Sequence, residues 1–162
     1  MHTLNLRGKL YSLCEPKIMG ILNVTPDSFF SGSRKQTEQE ITERCNQIID
    51  EGGEIIDVGA FSTRPGAPEV SEAEEMDRLR NGLQILRREQ PDAVVSVDTF
   101  RPDVARMAVE EYGVAIVNDV SEGGITGVVN KPLGWTQGDY PDMFRMVARL
   151  GVPYILMSVK PN

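Results

Sequence analysis

The chain has 162 residues, of which 40% are hydrophobic and 25% are charged, and its formal net charge is −7. This size and composition indicate one globular domain, and the acidic charge argues against a protein that binds nucleic acid non-specifically. Because no apolar run approaches the roughly 20 residues of a membrane span and no signal-peptide core is present, we expect no membrane association.

The first predicted elements are a β-hairpin and a strand. Residues 1–13 alternate polar and apolar side chains, which predicts a hairpin that turns at Arg7-Gly8 or at Gly8-Lys9. The aliphatic run at 18–22 predicts the next strand. A polar loop that contains a proline follows this strand.

Beyond that strand, apolar runs alternate with amphipathic helices along the chain. Capping boxes, an N-terminal proline and apolar side chains at helical spacing predict helices at 37–51, 71–90, 102–112 and 141–150. Continuous apolar runs predict strands at 54–60, 93–98, 114–119 and 153–159. Strands that are apolar on both faces are typical of a parallel sheet built from βα units, so we predict an α/β protein.

A polar side chain stands where each of the first four apolar runs stops. These residues are Asn23, Asp57, Asp98, Asn118 and Asp119. In a βα barrel such strand ends converge on the face that carries the active site, and in an open doubly wound sheet they meet near the switch point. Taken singly, Asp57 or Asp119 could instead cap a helix or bond a neighbouring loop. The repetition favours a polar pocket.

Several polar side chains suit particular ligands. The Asp98 carboxylate, expected to be partly buried, can accept two N–H bonds from an aminopyrimidine-like edge, or backbone amides can satisfy it. Asn118 offers both a donor and an acceptor. Asn23 is a neutral oxygen ligand for Mg²⁺, which takes one or two protein oxygens and ligand phosphates. Arg64 lies in a loop rich in hydroxyls and suits an anionic oxygen pair, unless it is a solvated surface residue.

Cysteine and histidine chemistry is not expected. Cys14 and Cys45 have no metal-type spacing, which indicates reduced thiols in a cytoplasmic protein. The only histidine, His2, lies at the N-terminus, which argues against a catalytic triad or a zinc site built on histidine. Any chemistry is therefore expected from carboxylates, amides, hydroxyls, Arg, Lys or a hard metal ion.

Four motifs together resemble the dihydropteroate synthase family of folate biosynthesis. They are IMGILNVTPDSF at 18–29, STRPG at 62–66, SVDT at 96–99 and VNDV at 117–120, in the order and approximate spacing of that family. The resemblance implies a (β/α)8 TIM barrel, of which this chain supplies an N-terminal hairpin and about five strands. It also implies condensation of 6-hydroxymethyl-7,8-dihydropterin pyrophosphate with p-aminobenzoate, giving 7,8-dihydropteroate and pyrophosphate, in a cytoplasmic homodimer.

The resemblance further implies roles for residues at the strand ends. Asn23 would contact Mg²⁺ bound to the leaving diphosphate. Asp98 and Asn118 would hold the pterin ring, and Met157 would line the pterin pocket.

Two loops are expected, by the same resemblance, to close over the site. Their substrate-binding residues would be Thr25, Pro26, Ser28, Phe29, Ser62, Thr63 and Pro65. Asp27 and Arg64 would be the catalytic residues of these loops. If the pyrophosphate leaves first, Asp27 would stabilise the positive charge that develops at the pterin methylene carbon, and loop closure would exclude water.

Three features depart from the family pattern. Ala60 and Phe61 replace a Gly-Glu pair before STRPG, and Ser158 stands where a His is common. The regions that supply the family's later pterin and anion residues have no counterpart in the 162 residues. We therefore expect 1–162 to be a single pterin-binding domain that is incomplete at its C-terminus.

Two other interpretations stay open. A pterin-binding domain of a methyl-transfer protein shares the barrel and the ring-facing Asp and Asn, but does not need the paired TPDSF and STRPG loops. A non-catalytic open-sheet domain that binds pterin or a partner is favoured by the chain length.

Overall fold

The computed structural model describes residues 2–25, 34–61, 69–121 and 141–157. Within these ranges the strands are β1 Thr3–Leu6, β2 Lys9–Ser12, β3 Met19–Asn23, β4 Ile55–Gly59, β5 Val94–Asp98, β6 Ile116–Asp119 and β7 Tyr154–Leu156. The helices are α1 Arg34–Asp50, α2 Glu72–Glu89, α3 Pro102–Tyr112 and α4 Asp142–Leu150. None of these helices is both long enough and apolar enough to cross a bilayer.

Five strands form one parallel sheet in chain order, β3-β4-β5-β6-β7. Each connection between neighbouring strands contains a helix, as is usual for a parallel pair. All five carboxyl ends therefore lie at the same edge of the sheet. The predicted α/β class and the alternation of strands with helices are confirmed.

The main core lies between the sheet and the helices. The sheet contributes buried aliphatic side chains from Leu22, Ile56, Val58, Val95, Val97 and Val117. The helices contribute Ile41, Cys45, Ile48, Leu79, Leu83, Leu86, Val104, Met107, Ala108, Met143 and Val147. These are the helix faces that the apolar spacing predicts, and the half-buried Ile49, Met76 and Leu150 border them.

The hairpin of β1 and β2 covers the amino-terminal end of the opposite sheet face. It turns at Arg7-Gly8, where both residues have positive φ, as a tight two-residue hairpin turn requires. Leu6 packs against Ile116, the first residue of β6, in a second, smaller core. Arg7 also donates a hydrogen bond of 3.1 Å to the Val109 carbonyl, which holds the turn against α3.

The start of α1 differs from the prediction. The helix begins at Arg34 and runs through Thr37, so residues 37–40 lie within the helix and do not form its N-cap. The Arg-Lys-Gln sequence at 34–36 consists of good helix formers, which explains the longer helix. The predicted start of α2 at Ser71 is confirmed, because the Ser71 side chain accepts a hydrogen bond from the Glu74 N–H, while the Glu74 carboxylate pairs with Arg78.

Two strands also differ from the prediction. β7 is shorter than the predicted 153–159, since it spans only Tyr154–Leu156 and the described chain ends at Met157. β4 spans Ile55–Gly59, close to the predicted 54–60, so Asp57 lies inside the strand and not at its end. Gly59 pairs with both neighbouring strands.

Candidate functional site

The candidate site lies on the sheet face opposite the helices, near the carboxyl ends of the strands. Asn23, Gly59, Asp98 and Asn118 are paired in register across β3, β4, β5 and β6. Three predicted site residues, Asn23, Asp98 and Asn118, therefore lie in one row across the sheet. We call this row the rim.

A second polar row lies one layer deeper on the same face. Asp57 on β4 pairs in register with Ser96 on β5, and both side chains are buried. Because side chains two residues apart on a strand share a face, this row sits directly below the rim. The Asn118 Nδ2 donates to Asp57 Oδ2 at 3.0 Å and joins the two rows. We name the set Asp57, Ser96, Asp98 and Asn118 the acceptor cluster.

The floor beneath the acceptor cluster is apolar. It is formed by the smaller core, in which Leu6 of the hairpin packs with Ile55, Ala115 and Ile116. The polarity of this face therefore increases from the hairpin towards the rim. The packed hairpin therefore closes the amino-terminal end of this face, and the polar groups lie towards the carboxyl ends of the strands.

Four buried side-chain oxygens of the acceptor cluster have no hydrogen-bond partner among the described residues. They are Asp57 Oδ1, Ser96 Oγ, Asp98 Oδ1 and Asn118 Oδ1. The Ser96 hydroxyl is close enough to Asp57 to favour its ionised form, but the two do not meet the geometry of a full hydrogen bond. Buried polar atoms in folded proteins are nearly always paired. These oxygens indicate a place for a molecule that donates hydrogen bonds.

Burial and the neighbouring carboxylates disfavour the ionised form of Asp98. Burial, together with the charges of Asp57, Asp119 and Glu75, raises the pKa of Asp98 to about 7. Burial also raises the pKa of Asp57, and the neighbouring Ser96 and Asn118 side chains partly oppose that rise. A bound N–H donor would favour the ionised form of Asp98. The site therefore changes its charge near neutral pH.

Gly59 leaves room for a methyl-sized group between Asn23 and Asp98. A Cβ at Gly59 would lie 3.6 Å from Asp98 Oδ2 and 3.8 Å from Asn23 Oδ1, so the missing side chain keeps this space free. The described residues contain no group of three His, Cys, Asp or Glu that could hold a metal. The Asn23 oxygen is a neutral ligand of the kind that Mg²⁺ takes beside water and ligand phosphates.

Glu75 fixes the backbone that follows Asp98. This carboxylate on α2 is fully buried, and Thr99 Oγ1 donates to it at 2.7 Å. Arg101 forms an ion pair with Glu75 and also donates to the Val70 carbonyl. The same carboxylate thus holds the start of the β5–α3 connection and, through Arg101, the chain just before α2.

The two residues that depart from the family pattern pack next to this support. The rings of Phe61 and Phe100 meet edge to face, with centroids 5.0 Å apart. Ala60 is buried, and its carbonyl accepts a hydrogen bond of 3.0 Å from Arg78. Arg101 lies 4.8 Å above the Phe100 ring. The contact between Phe61 and Phe100 therefore holds the two residues that directly follow β4.

Asp119 belongs to the helix-facing side of the sheet and not to the acceptor cluster. Its Oδ1 accepts hydrogen bonds of 2.7 Å from the N–H and the hydroxyl of Ser121. The Tyr154 hydroxyl donates to its Oδ2 at 2.5 Å. A bond to a neighbouring loop is thus the correct interpretation for Asp119, whereas Asp57 bonds Asn118 across the sheet.

Two further predicted residues lie at the edges of the described chain. Met157 follows β7, donates its N–H to the Asp119 carbonyl at 3.0 Å and has an exposed side chain. Thr25 is half-buried, two residues beyond Asn23. The other predicted site residues lie outside the described residues: Pro26, Asp27, Ser28, Phe29, Ser62, Thr63, Arg64 and Pro65.

Sequence reasoning placed Asp57 among the strand-end residues of a polar pocket without giving it a role in the site, and it missed Ser96. The signal that would have found them is their spacing, because Asp57 stands two residues before Gly59 and Ser96 two residues before Asp98. Alternation along a strand places both on the face that carries the rim.

Comparison with known proteins adds a family and several relatives. The family model described as pterin binding enzyme matches residues 19–162. The mitochondrial folate synthesis bifunctional protein of Arabidopsis thaliana is 41% identical over 145 residues, which cover 88% of this chain and 24% of that protein. Dihydropteroate synthase of Streptococcus pyogenes is 39% identical over 140 residues, which cover 86% of this chain and 47% of that protein.

Solved structures resemble this chain closely. Dihydropteroate synthase of Xanthomonas albilineans with 4-aminobenzoic acid has a TM-score of 0.78 and 34% identity, and the match covers 99% of this chain and 53% of that one. The same protein in complex with 7,8-dihydropteroate has a TM-score of 0.73 and 30% identity, over 98% of this chain and 52% of that one.

The chain spans about half the length of these solved structures and less than half of the two relatives named above. The solved structures are TIM barrels. Five parallel strands in chain order, each followed by a helix up to β7, correspond to the first part of such a barrel. The predicted fold class, a (β/α)8 barrel of which this chain supplies the hairpin and about five strands, is confirmed.

Proposed function

Because the chain belongs to the family of pterin binding enzymes, we propose that it carries the pterin-binding part of a dihydropteroate synthase. The proposed reaction condenses 6-hydroxymethyl-7,8-dihydropterin pyrophosphate with p-aminobenzoate, giving 7,8-dihydropteroate and pyrophosphate. The observation that carries this proposal is the acceptor cluster, whose unpartnered buried oxygens suit the N–H donors of an aminopyrimidine edge.

The named relatives and structures support the choice of substrates. Their names are dihydropteroate synthase or folate synthesis protein, and two of the solved structures hold 4-aminobenzoic acid and 7,8-dihydropteroate. These ligands belong to those proteins. Their relevance here rests on the shared family and on the position of the acceptor cluster at the carboxyl ends of the strands, where barrel enzymes bind their substrates.

The proposed roles of the rim residues follow from their chemistry. Ionised Asp98 would accept hydrogen bonds from two ring donors, and Asn118 Oδ1 would accept another. Met157 would contact the flat face of the ring. Asp27 would stabilise positive charge at the pterin methylene carbon, and Arg64 would bind an anionic group; both of these roles rest on the family resemblance.

Magnesium is the proposed metal, with Asn23 Oδ1 as its protein ligand. When bound, such an ion would offset the negative charge of the leaving diphosphate. The proposal is supported by Asn23, an exposed residue with a neutral oxygen ligand, and by the missing side chain of Gly59 beside it. The role of Asn23 is to orient the diphosphate end of the substrate relative to Asp98.

A cytoplasmic homodimer is proposed for the complete protein. The compartment is proposed because Cys14 and Cys45 are far apart in the sequence and have no metal-type spacing. The dimer is proposed from the family resemblance alone. Sedimentation equilibrium of the complete protein would test it, and a monomer at micromolar concentration would contradict it.

The function can be tested with a chimera. Residues 19–157 would replace the matching part of the Streptococcus pyogenes dihydropteroate synthase, which is 39% identical over 140 residues. We expect formation of 7,8-dihydropteroate that depends on added Mg²⁺ and is lost in Asp98→Asn. A folded chimera that binds the pterin substrate but forms no product would favour a binding domain over a synthase.

A further inference from the structure

The Asn118 carboxamide is held in one orientation by Asp57. Asn118 Nδ2 donates to Asp57 Oδ2 at 3.0 Å, and both side chains are buried. An ionised carboxylate only accepts hydrogen bonds, whereas a carboxamide has a donor end and an acceptor end. The reversed carboxamide would bring Asn118 Oδ1 against Asp57 Oδ2 with no proton between them. Ionised Asp57 therefore selects one orientation of the amide.

That orientation decides what the site offers to a ligand. With Nδ2 turned towards Asp57, Asn118 Oδ1 is left buried without a partner, as are Asp57 Oδ1 and Asp98 Oδ1. The site then presents mainly acceptors. A site built to hydrogen-bond a donor rejects ligands whose polar groups are reversed, because its own buried groups would stay unpaired.

We propose that Asp57 is a positioning residue that makes the acceptor cluster selective for a ring edge rich in N–H donors; this inference rests on the function proposed above. Asp57 acts through Asn118, since it fixes which end of the amide faces the ligand. A pterin ring presents a 2-amino group and N3–H as adjacent donors. A lumazine ring carries an oxo group in place of the 2-amino group, so that one donor becomes an acceptor.

The test compares binding of 6-hydroxymethylpterin and 6-hydroxymethyllumazine at pH 8 by fluorescence titration. The proteins are the wild-type chain, Asp57→Asn and the control Asp77→Asn, in which the changed side chain on α2 is 82% exposed. We expect the wild type and the control to prefer the pterin. In Asp57→Asn this preference should fall by at least about tenfold, because the amide at position 118 is free to reverse.

The outcomes separate this inference from the proposed function. If folded Asp57→Asn binds both rings more weakly but keeps the wild-type ratio, Asp57 is only structural and the inference is wrong, while the proposed function stands. If the folded wild-type chain binds no pterin, both the inference and the pterin site proposed for this chain are overturned.

A double variant keeps the test decisive if Asp57→Asn does not fold. Asp57→Asn/Asn118→Asp exchanges the two partners, so that an amide at position 57 donates to a carboxylate at position 118. The second oxygen of that carboxylate again faces the ligand as an acceptor. We expect pterin preference within about threefold of the wild type, because the direction of the hydrogen bond is exchanged but the outward acceptor is kept. A folded double variant without pterin preference would contradict the inference.

Discussion

Asp98 is an acid whose surroundings oppose its charge, which couples its ionisation to both stability and binding. Its pKa of about 7 lies above the ordinary value of 3.8, so the folded state keeps a proton that the unfolded chain releases between these values. The stability contributed by this proton is therefore fully present below about pH 4 and is lost as the pH rises through 7. Above that pH, a charged and poorly solvated carboxylate remains in the site.

Replacement of Asp98 by Asn should stabilise the chain at high pH. We expect Asp98→Asn to raise the free energy of unfolding at pH 8 by roughly 1–2 kcal/mol, because a buried charge near other carboxylates is removed. At pH 4 the effect should be close to zero, since wild-type Asp98 is then mostly protonated. Urea denaturation at the two pH values measures the difference. An equal effect at both would show that ionisation of Asp98 is not the cause.

At the residue scale, the sequence located part of the site. Asp98 and Asn118 were predictable because polar residues at the ends of apolar runs are easily seen. The partnership of Asp57 with Asn118 was not, because these residues are 61 positions apart and meet only through strand register. The roles of Asp27 and Arg64 stay predictions, as both lie outside the described residues.

At the scale of elements, Glu75 joins helix α2 to the connection after β5. Its carboxylate is fully buried, accepts from Thr99 and pairs with Arg101, so its removal leaves a cation and a hydroxyl without their partner. Burial raises the pKa of Glu75, while Thr99 and Arg101 oppose that rise. A buried pair of this kind is most costly when only one member is removed.

We therefore expect Glu75→Ala to lower the free energy of unfolding by about 3 kcal/mol. The control Glu110→Ala, which removes the partner of Arg106 at 3.5 Å on the exposed face of α3, should change it by less than about 0.5 kcal/mol. Urea denaturation of both variants provides the comparison. Similar losses in the two would mean that the buried pair does not hold this connection in place.

Periodicity in the sequence predicted which helices and strands form better than it predicted where each one begins and ends. The apolar spacing correctly identified the buried faces of all four helices and the order of strands and helices. It placed the start of α1 three residues too late, because no strong breaker marks that limit. It also assigned Asp57 to a strand end, although β4 pairs on both sides as far as Gly59, and such pairing depends on tertiary structure and not on local propensity.

At the scale of the whole molecule, the five-stranded sheet has two unpaired edges in the described part of the chain. β3 and β7 each pair with only one neighbour. On the face of the acceptor cluster, Ile21 near one edge is 57% exposed and Ile155 near the other is 38% exposed. Open edges and exposed aliphatic side chains favour association between chains.

We predict that the 162-residue chain alone unfolds with poor cooperativity and associates as its concentration rises. Ile21→Lys should reduce this association, because a charge on an edge strand opposes pairing between chains. Sedimentation velocity over a range of concentrations measures association, and calorimetry measures cooperativity. A monomer with a sharp two-state transition would refute this prediction.

The α/β class was predictable from the sequence because each βα unit carries its own local pattern, whereas the barrel followed only from the family resemblance. The closure of the sheet was not predictable, since the chain covers only 53% of the solved structure with 4-aminobenzoic acid. The aromatic contact of Phe61 with Phe100 was likewise hidden, because it joins two connections on neighbouring strands.

Calorimetric titration of the chain with 6-hydroxymethyl-7,8-dihydropterin pyrophosphate and Mg²⁺, with Asp98→Asn as the control, tests the central claim most directly. We expect saturable binding that is lost in the control and strengthens as the pH rises through 7, because ring donors need the ionised form of Asp98. No binding to a demonstrably folded wild-type chain, or equal binding by Asp98→Asn, would contradict the claim that the acceptor cluster is a preformed pterin site.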